Sequence, residues 1–417
     1  MGGANGTSAF DNFRHSGGAI SMQNVGNGLT KGRQAILTGL MAWSLAMLWL
    51  CWRSGIQHDY EAYLQLWDSF LAGQDPWQPE NAYGPLHTVT GLLRHFGPLA
   101  PKFVIVGTML IANAFFVSEL LRRRGVSPIL IVYLLAVPTN VLVVGMGIIY
   151  GLNDAMVATL LVGAVILRCR NQFLCCGVLV GVAALTKYYP LLLLPFFALD
   201  KGRIRWIVIA GGAGVFGLGF AAALAVWGNG PLRAIAFGAE RGPKLLSIIS
   251  ALSSVYGDGF TGWLIRYNSL FVVLGVAATL LFSWKARLNW LEGVVIGYLT
   301  MLTLYKVGHQ QFYIPWLFMV ASLPLMSSRP SDVIAMILMP AVLLLSLYQF
   351  GYQFGSDGYQ KQLFWIRQFA GFIAFLVSAT SIAVCSMYLS TFRGNVSSRQ
   401  NRVTSQMIAD PTVGDTN

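Results

Sequence analysis

An isolated acidic residue, Asp59, lies seven positions after the first hydrophobic segment, at the start of a long polar stretch. A carboxylate at the edge of a hydrophobic segment can accept a proton from a hydroxyl group close to a lipid surface. Aspartate also commonly caps helices, and the residues that follow predict a helix with Asp59 at its N-cap. The two roles are compatible, because a helix N-terminus stabilises the carboxylate form. Asp59 is therefore a candidate general base.

The residues after Asp59 have the spacing of an amphipathic helix. Aromatic and aliphatic residues recur on one side from Tyr60 to Leu71, and polar residues such as Glu61 occupy the other. This pattern predicts a short helix at the membrane interface, with its aromatic face toward lipid or toward the rest of the protein. Residues 73–77 end the helix, and Tyr83-Gly84-Pro85 turns the chain back toward the membrane.

Cationic and amide side chains recur where other hydrophobic segments end. Lys187 ends an apolar run, so it either extends to the membrane interface or faces an anion in a cavity. Lys306, His309 and Gln310 join two apolar segments and offer donors suited to a phosphate. A second long loop carries further basic residues, for which an anionic lipid head group would provide a reason. They are Arg233, Arg241, Lys244 and Arg266.

The composition indicates that most of the chain lies in a lipid bilayer. Apolar residues make up 55% of the 417 residues and charged residues 11%. The net charge of +12 could suggest nucleic-acid binding, but the basic residues form short clusters between apolar segments, which is the pattern of membrane topology. No nucleic-acid partner is therefore expected. The five cysteines lie within or at the ends of apolar segments and are expected to pack there.

The hydrophobic segments predict an all-α polytopic integral membrane protein with about 12 transmembrane helices, in a range of about 10 to 13. The segments are 34–52, 99–121, 128–149, 152–168, 173–187, 190–199, 205–227, 267–284, 290–306, 310–326, 331–350 and 366–391. Those at 173–187 and 190–199 are too short to span alone. Broken helices that line a cavity are expected there.

Arginine and lysine positions predict the orientation. With a cytoplasmic N-terminus, 17 of the 28 basic residues fall on the cytoplasmic side, as the positive-inside rule favours. Disordered cytoplasmic tails are then expected at 1–33 and 392–417, around a membrane domain at 34–391. Function is expected in the outer loops, on the periplasmic side of a bacterial inner membrane. These loops are 53–98, 228–266 and 351–365.

Short motifs fall in a fixed order on the predicted outer side, between about residues 34 and 330. They are His58-Asp59-Tyr60, Gly73...Pro76-Trp77, Tyr83-Gly84-Pro85, Gly151-Leu152-Asn153-Asp154, Gly177...Gly181...Lys187-Tyr188-Tyr189-Pro190 and Lys306...His309-Gln310-Gln311-Phe312-Tyr313. In their order, and in their position on one side of the membrane, these motifs resemble those of the GT-C glycosyltransferases, which use polyprenyl-phosphate sugar donors. The likeness is greatest to bacterial alpha-mannosyltransferases that use polyprenyl-phosphate-mannose. The motifs are also similar to those of the first mannosyltransferase of GPI-anchor synthesis.

The resemblance implies a GT-C-like bundle in which Asp59 is the catalytic base. It also implies that His309 and Lys187 contact the donor phosphate. The GPI-type enzymes carry Asp-x-Asp where this chain has Asp59 and Glu61, so a divalent metal is left open, and no other cofactor is expected.

Further side chains are candidates for the same site. The candidate phosphate contacts are Lys187, His309, Lys306, Arg241 and Lys244. The candidate sugar or acceptor contacts are His58, Tyr60, Glu61, Tyr83, Asn153, Asp154 and Gln310.

The predicted function is an inverting transfer of a hexose, expected to be mannose, to a lipid-linked or cell-envelope glycan acceptor. Asp59 would deprotonate the acceptor hydroxyl as polyprenyl phosphate leaves. The expected partners are the polyprenyl-phosphate sugar donor, the acceptor and membrane lipids. Two alternatives stay open: a transporter or flippase of lipid-linked sugars, and a non-catalytic membrane scaffold. A scaffold has no reason to bring Asp59, Lys187 and His309 to one cavity.

Overall fold

The computed structural model describes residues 18–77, 81–326, 328–354 and 369–392. Residues 1–17 and 393–417 of the predicted tails and residues 355–365 of the predicted loop lie outside the described residues. The first helix begins within the predicted N-terminal tail, at Gly18. The α-helices are α1 (Gly18–Ser54), α2 (His58–Leu71), α3 (Pro85–Val89), α4 (Ala100–Arg124), α5 (Pro128–Ala136), α6 (Asp154–Cys169), α7 (Phe173–Thr186), α8 (Leu194–Ala198), α9 (Trp206–Trp227), α10 (Gly230–Glu240), α11 (Ile248–Tyr256), α12 (Asp258–Arg266), α13 (Asn268–Lys285), α14 (Trp290–Leu304), α15 (Tyr313–Ser322), α16 (Arg329–Phe354) and α17 (Phe369–Phe392).

Shorter elements connect these helices. The 3-10 helices are Thr90–Phe96, Tyr189–Leu193, Gln310–Phe312 and Leu323–Met326, and Val143–Ile149 is π-helical. Strand β1 (Leu199–Asp200) pairs antiparallel with β2 (Arg203–Ile204). Strand β3 (Lys244–Leu245) pairs parallel with β4 (Val307–Gly308), which ties the second long loop to the connection between α14 and α15.

Six helices in the described part of the chain are long and apolar enough to cross a membrane. They are Gly32–Ser54, Ala100–Arg124, Trp206–Trp227, Asn268–Lys285, Arg329–Gln353 and Phe369–Phe392. Large apolar side chains on them are exposed, including Trp49 at 60% and Leu218 at 76%, as expected where the surroundings are lipid. The all-α polytopic membrane class is therefore confirmed, while the number of about 12 spans and the interfacial position of α2 stay predictions.

Broken helices occur at the predicted short segments, 173–187 and 190–199, and also between the segments 128–149 and 152–168, which were predicted as separate spans. The π-helical Val143–Ile149 and α6 together are long enough for a seventh span, but they are bent by 108° at their junction. The apolar helices Phe173–Thr186 and Tyr189–Ala198 are each shorter than a span. Their ends near residues 150–154 and 187–189 meet at one end of the bundle, which brings irregular backbone and polar side chains together there.

The end of the bundle that contains residues 54–77, 81–102, 149–154, 186–190, 227–268 and 305–312 is called the loop end. Contacts far apart in sequence hold it together. The Lys102 ammonium donates to Ser54 Oγ at 3.0 Å and to the carbonyl oxygens of Gly55 and Ile149 at 2.8 and 2.5 Å. The first long loop therefore starts beside the bend that precedes α6.

The opposite end, called the arginine end, contains residues 119–128, 168–172, 199–206, 284–292, 323–326 and 328–332. Glu119 forms ion pairs there with Arg123 at 2.7 Å and with Arg170 at 3.1 Å. Arg124 pairs with Asp332 at 3.0 Å. The described basic clusters at 122–124, 168–170, 201–205 and 285–287 share this end, which is the distribution that the positive-inside rule describes.

Glycines allow α7 and α9 to pack backbone against backbone. A Cβ atom at Gly177 would collide with the Val208 carbonyl oxygen, and one at Gly181 would collide with that of Gly212. Glycine is therefore needed at both positions of the Gly177...Gly181 motif for close approach. This packing holds the end of α7, and with it Lys187, in a fixed position.

We expect Gly177→Ala to lower the free energy of unfolding by about 1–3 kcal/mol, because the added methyl group forces α7 and α9 apart. Gly214→Ala on α9 is the matched control, since a Cβ there meets nothing within 4 Å. Thermal unfolding of both purified variants in detergent tests this prediction. Equal stability of the two variants would contradict the close packing.

Candidate functional site

The aromatic face of α2 packs into the protein against the turn that contains Tyr83. The Tyr63 ring centroid lies 5.0 Å from that of Tyr83 and 4.5 Å from that of His87. The Trp67 indole N–H donates to the His87 carbonyl oxygen at 2.8 Å. Tyr63 and Trp67 are buried. The aromatic side of α2 therefore faces the bundle, and its opposite side faces open space.

The start of α2 is fixed by Tyr60. Its hydroxyl donates to the Pro98 carbonyl oxygen at 2.9 Å and accepts from the Lys102 backbone N–H at 3.1 Å. The N-cap is Gln57, and α2 begins at His58. The expectation that Asp59 is the N-cap is therefore wrong, because the helix starts two residues earlier than expected and Asp59 lies in its first turn.

A cavity of about 310 Å³ lies against the outward side of α2. It is lined by Asp59, Ala62, Gln65, Leu66, Ser69, Ala82, Tyr83, Leu152, Phe237, Arg241, His309 and Gln311. Five segments of the chain meet here: α2, the Tyr83 turn, the residues before α6, the end of α10, and the connection from α14 to α15. The cavity therefore combines one carboxylate, one guanidinium and one imidazole.

Arg241 brings a positive charge to the cavity. Its guanidinium lies 5.4 Å from the Phe237 ring centroid. Within the described part of the chain, Arg241 forms no ion pair or hydrogen bond through its side chain. A guanidinium without a carboxylate partner is suited to an anionic ligand.

His309 enters the cavity as a neutral side chain. Burial lowers its pKa to about 4, and the positive charges of Arg241, Lys187 and Lys244 act in the same direction. A neutral imidazole has one N–H donor and one acceptor nitrogen. Burial also raises the pKa of Tyr83 to about 12, so its hydroxyl keeps its proton. Both side chains can donate one hydrogen bond to a ligand oxygen.

Lys187 and Asp154 form a buried ion pair behind Tyr83. The Lys187 ammonium lies 2.6 Å from Asp154 Oδ2, and the Tyr189 hydroxyl donates to Oδ1 at 3.3 Å. The same ammonium lies 5.5 Å from the Tyr83 ring centroid and 4.6 Å from that of Phe312. Lys187 therefore borders the cavity through Tyr83, and its charge is balanced by Asp154.

Asn153, next to Asp154, is also buried. It accepts a hydrogen bond from the Tyr63 hydroxyl at 3.2 Å. This bond connects the start of α6 to the aromatic face of α2.

Lys306, Lys244 and Glu61 do not line the cavity, and the side chain of His58 lies outside the described residues. The buried Lys306 ammonium donates to the carbonyl oxygens of Ala239 and, at 3.2 Å, Ile265. Lys244 is exposed on β3, and Glu61 is exposed on α2. Because only Asp59 of the Asp59 and Glu61 pair lines the cavity, the two carboxylates do not converge there as metal ligands would.

Gln310 lies between two cavity residues, His309 and Gln311. It is buried, and its Oε1 atom has no hydrogen-bond partner among the described residues. A buried amide oxygen of this kind can accept a hydrogen bond from a ligand hydroxyl.

Sequence reasoning did not single out Gln65 and Ser69 as site residues. They lie with Asp59 and Ala62 at intervals of three and four along α2, on the side away from the aromatic residues. That spacing was visible in the sequence and could have identified them.

A family model described as glycosyltransferase family 87 matches residues 81–237. The matched range includes Tyr83, Asn153, Asp154 and Lys187 and ends at Phe237, which lines the cavity. No curated protein matches the chain. Together with the apolar helices, the family match supports a membrane glycosyltransferase.

Lys187→Met should lower the free energy of unfolding by about 3–5 kcal/mol, because it leaves the Asp154 carboxylate buried without its partner. The double variant Lys187→Met/Asp154→Asn removes both charges and should regain most of this loss. Thermal unfolding in detergent compares them. A single variant as stable as the double variant would contradict the structural role of the pair.

The lowered pKa of His309 predicts a pH dependence of stability. At pH values between 6.5, the ordinary pKa of histidine, and about 4, the unfolded chain binds a proton at His309 and the folded chain does not. This contribution to stability is complete above pH 6.5 and is lost as the pH falls toward 4. Wild type should therefore lose Tm relative to His309→Gln between pH 7.5 and pH 4.5. A constant Tm difference between the two proteins would count against this.

Proposed function

We propose that this chain transfers a hexose, with mannose as the first candidate, from a polyprenyl-phosphate donor to a lipid-linked or cell-envelope glycan acceptor. One observation carries the proposal: Asp59, Arg241 and His309 line a single cavity. The family match supports glycosyl transfer, and the three side chains supply the base and the phosphate contacts that transfer from such a donor requires.

The reaction is a single displacement. Asp59 removes the proton from an acceptor hydroxyl, whose oxygen attacks the anomeric carbon of the donor sugar. The bond between that carbon and the phosphate oxygen breaks, and polyprenyl phosphate leaves with inversion at the anomeric carbon. One carboxylate suffices, because no covalent sugar intermediate forms on the protein.

The leaving phosphate needs stabilisation in place before the bond breaks. Arg241 can donate two parallel hydrogen bonds to phosphate oxygens, and neutral His309 can donate one. The Tyr83 hydroxyl and the side-chain Oε1 atom of Gln310 are candidate contacts for sugar hydroxyls. His58, which directly precedes Asp59 in α2, is a candidate contact on the acceptor side.

The cationic residues outside the cavity take supporting roles in this proposal. The Lys187–Asp154 pair holds the Tyr83 ring. Lys306 holds the end of α10, two residues before Arg241. Lys244 adds a positive potential near His309, which favours an anionic donor.

The distribution of charge suggests the orientation. With the arginine end in the cytoplasm, the cavity opens on the outer face, and a cell-envelope acceptor in a bacterial inner membrane can reach it. A transporter of lipid-linked sugars remains the alternative to test. The family match favours transfer over transport, and the arrangement of Asp59 and His309 at one cavity argues against a scaffold.

Asp59→Asn should lower transfer by at least about 100-fold, because it removes the general base while keeping the size of the side chain. Glu61→Gln, the matched control, removes a carboxylate from the same turn of α2 outside the cavity and should keep most of the activity. The assay follows radiolabelled mannose from polyprenyl-phosphate-mannose into lipid extract, using membranes with equal amounts of each variant. If the Asp59→Asn protein kept most of the wild-type activity, Asp59 would not be the general base.

A further inference from the structure

The arginine end contains a second polar cavity, of about 490 Å³, that the proposed transfer reaction does not use. It lies between the β1–β2 hairpin and the turn from α13 to α14. Its lining residues are Asp200, Lys201, Gly202, Arg203, Arg205 and Arg287. Four cationic side chains and one carboxylate give this lining a net formal charge of +3.

The single carboxylate of this cavity is already shared. Asp200 lies 3.5 Å from the Arg205 guanidinium and 3.6 Å from that of Arg168, which is buried. Among the described residues, Arg203 and Arg287 have no carboxylate within ion-pair distance. Two guanidinium groups at one cavity are therefore not balanced by a described carboxylate.

The cavity is held in shape by backbone contacts. The Trp284 indole N–H donates to the Gly202 carbonyl oxygen at 2.8 Å, and the Lys201 N–H donates to that of Leu288 at 3.3 Å. Lys201 and Arg287 have φ angles of +50° and +51°, which non-glycine residues rarely adopt. The hairpin and the turn are thus locked together before any ligand binds.

Beside the cavity lies an apolar surface that belongs to two candidate membrane spans. Trp206 and Ile207, at the start of α9, are 69% and 50% exposed, and Trp284, at the end of α13, is 49% exposed. Exposed tryptophans at the ends of spans are typical of the boundary between head groups and acyl chains. A ligand that enters here meets positive charge and lipid-facing apolar surface together.

We propose that this cavity binds the head group of an anionic phospholipid. The lipid phosphate accepts hydrogen bonds from Arg203 and Arg287, whose planar guanidinium groups match phosphate oxygens. The acyl chains lie along α9 beside Trp206 and Ile207. A lipid fits this site better than a soluble anion does, because the cavity adjoins an apolar surface that a soluble anion would leave uncovered.

The test uses the full-length protein in detergent, titrated with short-chain phosphatidylglycerol and with phosphatidylcholine, and affinity is measured by native mass spectrometry. Wild type should prefer phosphatidylglycerol. The double variant Arg203→Gln/Arg287→Gln should bind it at least about tenfold more weakly, since two charge-assisted contacts are lost. Arg122→Gln/Arg170→Gln removes the same charge from another part of the arginine end and should bind as wild type.

Two further arms keep the test decisive. Arg203→Lys/Arg287→Lys keeps the charges that govern membrane insertion but lacks the planar fork, so it should bind several-fold more weakly than wild type even if the glutamine variant fails to fold. Glycerol 3-phosphate carries the head-group phosphate without acyl chains and should bind far more weakly than the lipid.

Three results would overturn the proposal. Equal losses in both glutamine double variants would mean that the lipid responds only to the overall charge of the arginine end. Wild-type affinity in the lysine variant would show that lipid binding does not depend on guanidinium contacts. Glycerol 3-phosphate that binds as tightly as phosphatidylglycerol would identify a site for a soluble anion instead.

Discussion

Backbone carbonyls at the broken ends of membrane helices must find donors inside the protein, since the bilayer supplies none. Buried lysine ammonium groups meet this requirement at the loop end. Lys102 donates to the carbonyl oxygens of Gly55 and Ile149, and Lys306 donates to that of Ala239. Each lysine joins segments that are far apart in sequence. The loops of this end can therefore hold a fixed shape although several of their helices are too short to span a membrane.

The candidate site depends on these connections. The Lys102 backbone N–H also donates to Tyr60, next to Asp59, and Lys306 holds α10 close to Arg241. The carboxylate and the guanidinium that face the cavity are thus supported by neighbouring residues whose own side chains are buried. Such support keeps reacting groups in one geometry without placing further charges in the cavity. Several cationic residues of the loop end do not line the cavity, because they hold the surrounding backbone in place instead.

The sequence predicted the helical, membrane-spanning class and some local features, but not the contacts between distant residues. Helical spacing after Asp59 identified α2 and its aromatic face, because that information is local. The choice between lipid and protein for that face depended on Tyr83 and His87, which only the folded chain brings near. Lys187 and Asp154 were separate candidates in the sequence. Their pairing depends on the bend before α6 and on the close packing of α7, and neither is encoded in the spacing of the two residues.

The central claim is that one cavity holds the donor phosphate beside Arg241 and His309 with Asp59 facing the sugar. The most direct measurement is an electron cryomicroscopy structure of the purified protein with a non-hydrolysable polyprenyl-phosphonate-mannose analogue. The account predicts phosphonate oxygens about 3 Å from the Arg241 guanidinium and the His309 imidazole, with the Asp59 carboxylate open toward the anomeric carbon. Analogue bound outside this cavity, or a phosphonate that contacts neither Arg241 nor His309, would contradict it.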